Sequence, residues 1–250
     1  MATATEDLRV EDGAKRVRVM LGGEVVADSV HPKLVWEIPY YPAYYLPAAD
    51  VRTDLLAENG NTEETSNRGE ARYFDVRAGD RVAADGAWHH PESPTEEIRD
   101  HIRFDWAAMD AIFEEDEPVY VHPRDPYSRV DVLPSSRSVR VEIDGVTVAE
   151  TTNPTILFET GLPPRYYMPK TDVRMDLLSP TDTTTKCPYK GTAEYYSVDV
   201  DGTTHDDVVW WYRHPTHESA GIAGLVSFYN EKVQLFVDGE PVERPETAFS

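Results

Sequence analysis

Cysteine is almost absent from this sequence: Cys187 is the only one in 250 residues. One thiol cannot close an intrachain disulfide, and a tetrahedral cysteine-rich zinc site is excluded by count. Basic residues are scarce as well, 24 against 46 acidic ones, giving a formal net charge of -22. A surface of that sign repels phosphate backbones and anionic membranes, so nucleic acid is not expected as a partner. Long apolar runs are also missing, and nothing approaches the roughly 20 apolar residues of a membrane-spanning helix. The opening stretch, MATATEDLRVEDGAKRVRV, has acids where a signal peptide needs an apolar centre. These absences lead us to expect a cytoplasmic protein with no membrane partner.

What is present is a globular composition, 40% hydrophobic and 10% aromatic, so the acidity belongs to a folded surface rather than to disorder. The length suits two ordinary domains, and an internal repeat supplies them. At one offset of 122 residues, from Tyr44 to Tyr166, Val17-Arg18-Val19 matches Val139-Arg140-Val141 and Tyr44-Tyr45 matches Tyr166-Tyr167. The same offset pairs Asp50-Val51-Arg52 with Asp172-Val173-Arg174, Tyr73 with Tyr195 and Trp88 with Trp210. The expected layout is a tail (1–14), a first copy (15–118), an ordered inter-copy linker (119–136), a second copy (137–242) and a short tail (243–250).

Each copy opens on period-2 alternation, Val17-Val19-Leu21 or Val139-Val141-Ile143, followed by Gly22-Gly23 or Asp144-Gly145. That is the signature of a β-hairpin. The fold class predicted is mainly β: a tandem duplication of a small sheet or barrel-like domain, with one or two short helices in the first copy. Those helices are read from Ser93-Pro94-Thr95-Glu96, a capping pattern leading to Ile98 and Ile102, and from Trp106, Met109 and Phe113 at helical spacing. The second copy has strand-like KVQLFV at the corresponding place.

The words PPRYYMP, DVRMDLL, CPYKG (Cys187–Gly191), YRHP and VSFY occur in order in the second copy. With them, residues 137–242 resemble the bacterial domain of unknown function DUF427. The first copy resembles it through its Tyr-Tyr, Asp-Val-Arg and Leu-Leu words, but has Thr65, Ser66, Asn67 and Arg68 where the second has Cys187, Pro188, Tyr189 and Lys190. The resemblance implies small, mainly β domains and brings a nucleotidyltransferase label. It also implies that thiol chemistry is absent from the first copy, which we expect to be mainly structural.

Several constellations can carry chemistry. Cys187, between Lys186 and Lys190, is either a thiolate nucleophile needing one of His205, His214 or His217 as base, or a small buried apolar residue. Asp172, Asp176 and Asp182 can hold a metal for nucleotidyl transfer, or Asp172, Arg174 and Asp176 can form an ion-pair ladder. His214 and His217 have a weak metal-ligand spacing, and no metal site is assigned. The leading expectation is a ligand site for a small anionic or planar molecule, formed by Arg165, Tyr166, Arg174, Tyr189 and Lys190 beside Cys187. An enzyme, and a structural or protein-interaction module, are the alternatives.

Overall fold

The computed structural model describes residues 8–247 and 249–250. The chain divides into two units, Met1–Asp125 and Pro126–Ser250. The first contains β1 (Arg9–Asp12), β2 (Val17–Leu21), β3 (Glu24–Ser29), β4 (Lys33–Ile38), β5 (Tyr41–Pro47) and β6 (Leu56–Thr65). It continues with β7 (Gly69–Ala78), β8 (Arg81–His89), β9 (His101–Phe104), β10 (Ala111–Glu114) and β11 (Glu117–Val119). These form a seven-stranded sheet, β1-β4-β5-β9-β8-β7-β6, and a four-stranded one, β11-β10-β2-β3, antiparallel throughout.

The second unit repeats the circuit with β12 (Val130–Pro134), β13 (Val139–Ile143), β14 (Val146–Thr151), β15 (Thr155–Glu159) and β16 (Arg165–Tyr167). Then come β17 (Leu178–Cys187), β18 (Gly191–Val200), β19 (Thr203–Pro215), β20 (Val226–Phe228), β21 (Gln234–Val237) and β22 (Glu240–Val242). Its large sheet is assigned as β12-β15-β16 and β17-β18-β19-β20, joined by a bridge between Met168 and Val226. The strand order is therefore the same as in the first unit.

The alternation read from sequence is the burial pattern. Val17, Val19 and Leu21 point into one core and Val139, Val141 and Ile143 into the other, each side chain contributing about 1.5–3 kcal/mol on burial. The hairpin turns have both central residues at positive φ, Gly22 and Gly23 at 58° and 79°, Asp144 and Gly145 at 51° and 80°, as a type I′ turn requires. Each large sheet carries a second repeated irregularity. Asp85 and Asp207 sit at positive φ (51° and 49°), and their carboxylates accept bonds from Asn59 and Asn61, or from Thr181 and Thr183, on the edge strand two places away in the sheet. The pairing slips there, between Glu58 and Thr62 and between Pro180 and Thr184, which marks a β-bulge.

The structure departs from the sequence reading in two places. Each copy begins one strand earlier than expected: β1 lies within the predicted tail, and β12 within the predicted linker. Of the two predicted helices the first is only a short 3-10 helix and the second is replaced by a strand. Glu96–Ile98 is a single 3-10 turn and Ile102 lies in β9. Residues 106–110 are turns, held by the Asp105 carboxylate accepting from the Ala107 N–H (3.1 Å), and Ala111–Glu114 is a strand paired with β2. Pairing to β2 buries Ile112 and Glu114, so tertiary pairing overrides the local spacing. Both copies therefore have a strand where a helix was expected in the first.

Candidate functional site

Strand alternation decides which expected site residues meet. Along β15 and β16, Leu157 pairs with Arg165 and Ile156 with Tyr166. Leu157, Glu159, Arg165 and Tyr167 thus share one face and Ile156 and Tyr166 the other. Tyr166 belongs to the main core of the second unit. Tyr167 instead joins Leu157, Tyr195, Trp210, Tyr212 and Ile222 in a separate aromatic cluster.

That cluster is the floor of the candidate site. Trp210 Nε1–H donates to the Tyr167 hydroxyl (3.0 Å), with the rings edge to face at 6.1 Å. Tyr229 lies 4.5 Å from the Trp210 ring. The Tyr229 and Tyr195 hydroxyls are 3.2 Å apart, and Tyr195 also bonds Thr185 (2.8 Å). Beside this floor Lys190 donates to Glu159, with their side chains only 12% and 11% exposed. Arg165 places its guanidinium 5.6 Å from the Trp210 centroid and makes a bidentate pair with Glu231 (2.6 and 2.8 Å). The Thr247 hydroxyl donates to the same carboxylate (2.7 Å).

The electrostatics favour recognition over proton transfer. Burial drives the Tyr167 and Tyr212 phenols well above the ordinary range, with negative charge at Glu159 adding to both. Neutral phenols of this kind are hydrogen-bonding groups rather than bases. Burial also works to raise Glu231, but hydrogen bonds from Arg165 and Thr247 outweigh it and hold this carboxyl at about 2.

Cys187 ends β17 opposite Gly191, half-buried, and its carbonyl accepts from the Lys190 N–H (3.3 Å) across the turn. Its thiol has no hydrogen-bonded base among the described residues. His205 is bonded to Asp144 (2.9 Å), and His214 and His217 are exposed. The Tyr189 carbonyl accepts from Ser219 (3.1 Å) and Thr216. Arg174 lies apart from this group. It forms an exposed bidentate pair with Asp176 (2.9 and 2.6 Å) and borders a shallow open depression with Thr147, Glu150 and Asp172. Asp172 accepts from Thr151 (2.6 Å), and no three His, Cys, Asp or Glu side chains converge to hold a metal among the described residues. The first unit repeats the Asp-Val-Arg arrangement in Ser29–Asp50 (2.6 Å) and Arg52–Asp54 (2.8 and 2.7 Å), so the ladder of aspartates is a recurring element of the fold.

Glu37, Tyr45, Arg68, Tyr73 and Trp88 of the first unit stand at the positions of Glu159, Tyr167, Lys190, Tyr195 and Trp210. Glu37 accepts from the Tyr45 hydroxyl (2.6 Å) and faces Arg68 (3.5 Å) and Arg103 (3.0 Å). Arg103 lies 4.3 Å from the Trp88 centroid, and Tyr73, 5.4 Å from the same ring, donates to Glu63 (2.7 Å). The acid–cation pair beside an aromatic floor is thus present twice, although only the second copy has the thiol.

Residues 9–115 and residues 131–239 each match the domain of unknown function DUF427. The chain belongs to the DUF427 family. No curated protein matches the chain. In this DUF427 pair the matched spans take in β1 and β12, in keeping with the strand at which each unit begins. No helix among the described residues is long and apolar enough to cross a membrane.

Proposed function

We propose that this DUF427 protein is a cytoplasmic small-molecule-binding protein whose ligand, anionic or planar, sits at the Glu159–Lys190 pair beside Tyr167, Trp210, Tyr195 and Tyr229. The observation carrying this reading is the pair itself. Two opposite charges with little more than a tenth of their side-chain surface exposed are costly to desolvate. The second unit nonetheless keeps them at the edge of an aromatic cluster, where they can lend charge-assisted bonds to a ligand whose planar part contacts the rings. Neutral phenols, and a thiol with no bonded base, support binding over acid–base or nucleophilic catalysis.

The test is a thermal-shift screen of the full chain against nucleoside monophosphates and aromatic carboxylates. Stabilisation that disappears in Lys190→Met but persists in Arg174→Ala supports the reading. Stabilisation insensitive to Lys190, or lost only with Arg174, moves the site to the depression beside Asp172 and overturns it.

A further inference from the structure

We propose that the first unit carries a binding site of its own, an oxyanion site in which Arg68 and Arg103 together grip a carboxylate or phosphate group. The argument starts from how the cations are matched. In the second unit each cation has its own carboxylate, Lys190 with Glu159 and Arg165 with Glu231. In the first, two guanidiniums converge on one carboxylate, Glu37, which also accepts the Tyr45 hydroxyl. The next acid, Glu63, is exposed and engaged by Tyr73.

A guanidinium presents five N–H donors, and Glu37 leaves many of them unused. The Nε atoms of Arg68 and Arg103 are both buried and make no hydrogen bond, since the Arg103 Nε–H is not aimed at the Glu37 oxygen 3.0 Å away. Close to Arg68, His90 is fully buried and stacked 6.3 Å from Tyr45, with the Gly69 backbone beside its ring. Burial and the nearby Arg68 keep this imidazole below its ordinary pKa, so it adds a neutral polar edge. Unused donors beneath a surface are what an oxyanion completes, and a planar fork takes it in bidentate fashion. The Arg103 guanidinium is held over Trp88, which fixes it before ligand arrives. This site does not depend on what the second unit binds.

The test follows the indole N–H signal of Trp88, identified by its loss in Trp88→Phe, in the ¹⁵N-labelled full chain. The protein is titrated with inorganic phosphate and, separately, succinate, at constant ionic strength set by sodium chloride. A saturable shift is expected with at least one of them. Phosphate alone identifies a phosphate ester as the natural group, succinate alone a carboxylate, and both a general oxyanion site. Arg103→Ser, which installs the second unit's residue, is expected to weaken binding at least tenfold. Glu37→Gln, which removes the competing carboxylate, is expected to tighten it about tenfold. A purely structural cluster predicts no gain from Glu37→Gln. An unsaturable shift, an Arg103→Ser variant that binds as well as the parent, or weaker binding in Glu37→Gln would overturn the proposal.

Discussion

Arg103 and Arg165 each hold a guanidinium over the equivalent tryptophan, 4.3 Å from Trp88 and 5.6 Å from Trp210, but they reach it from different strands. Arg103 is on β9, where the second unit has Ser227 opposite Trp210; Arg165 is on β16, where the first unit has Ala43. One cation over the indole is thus kept by two routes, and its carboxylate partner differs accordingly, Glu37 in one case and Glu231 in the other.

Glu231 makes acid stability a direct readout of the second unit. Its carboxyl is moved from 4.5 to about 2 in the folded protein. A depressed folded pKa gives stabilisation that is fully present above the unfolded value and is lost as pH falls through the folded one. Roughly 3 kcal/mol is therefore expected to disappear between about pH 5 and pH 2, at about 1.4 kcal/mol per pKa unit. Glu231→Gln should flatten that part of the melting-temperature profile. At neutral pH it should also cost about 3–5 kcal/mol by leaving Arg165 buried without its counter-charge.

Tyr167→Phe tests the floor of the site. The Trp210 Nε1–H loses its acceptor while both rings stay buried, a loss of about 1–3 kcal/mol in urea unfolding. No change in the unfolding midpoint would mean that the indole finds another acceptor.

Gly22 and Gly23 share a turn but not a sensitivity. A Cβ on Gly22 would lie 2.0 Å from the Ala78 carbonyl oxygen, whereas one on Gly23 would meet nothing within 4 Å. Gly22→Ala is expected to cost at least about 2 kcal/mol, and Gly23→Ala about 1 kcal/mol for its positive φ alone. Paired denaturation curves would show the difference, and equal costs would refute the close approach.

Cys187→Thr installs the residue found at Thr65, whose hydroxyl donates to the Gly69 carbonyl (2.9 Å) across the equivalent turn. We expect stability within about 1 kcal/mol of the parent and ligand binding unchanged. Loss of a ligand's thermal shift in this variant, with the fold intact, would assign a role to the thiol.

Much of the fold is legible in the sequence, because period-2 alternation and turn residues are local signals. Val17-Val19-Leu21 and Gly22-Gly23 announce a hairpin without reference to anything distant. The acids of the two sites are harder to see. Glu37 and Glu159 obey the same 122-residue offset as the tyrosines, yet each is a single acid between unlike neighbours, Trp36-Ile38 and Phe158-Thr160. Arg103 is hidden for another reason. Strand pairing sets it opposite Trp88 as Ser227 is opposite Trp210, so the offset has grown from 122 to 124 and a fixed alignment passes over it. The missed strand at Ala111–Glu114 has a different origin: Trp106, Met109 and Phe113 stand at helical spacing, and only the pairing with the distant β2 overrides that local signal. Sequence adjacency groups Tyr166 with Arg165, whereas strand alternation sends it to the core.

The slips in pairing beside Asp85 and Asp207 bear on how the chain avoids self-association. Both fall on the outermost strands of long hairpins, β6 and β17, whose free edges would otherwise be ready templates for another molecule. A bulge breaks the regular row of donors and acceptors, and the acids Glu58, Glu63 and Glu64 in β6, with Pro180 and Asp182 in β17, charge or interrupt what remains. A protein presenting two such hairpin edges in one chain is thereby guarded against fibril growth at a place where a β-rich fold is exposed to it.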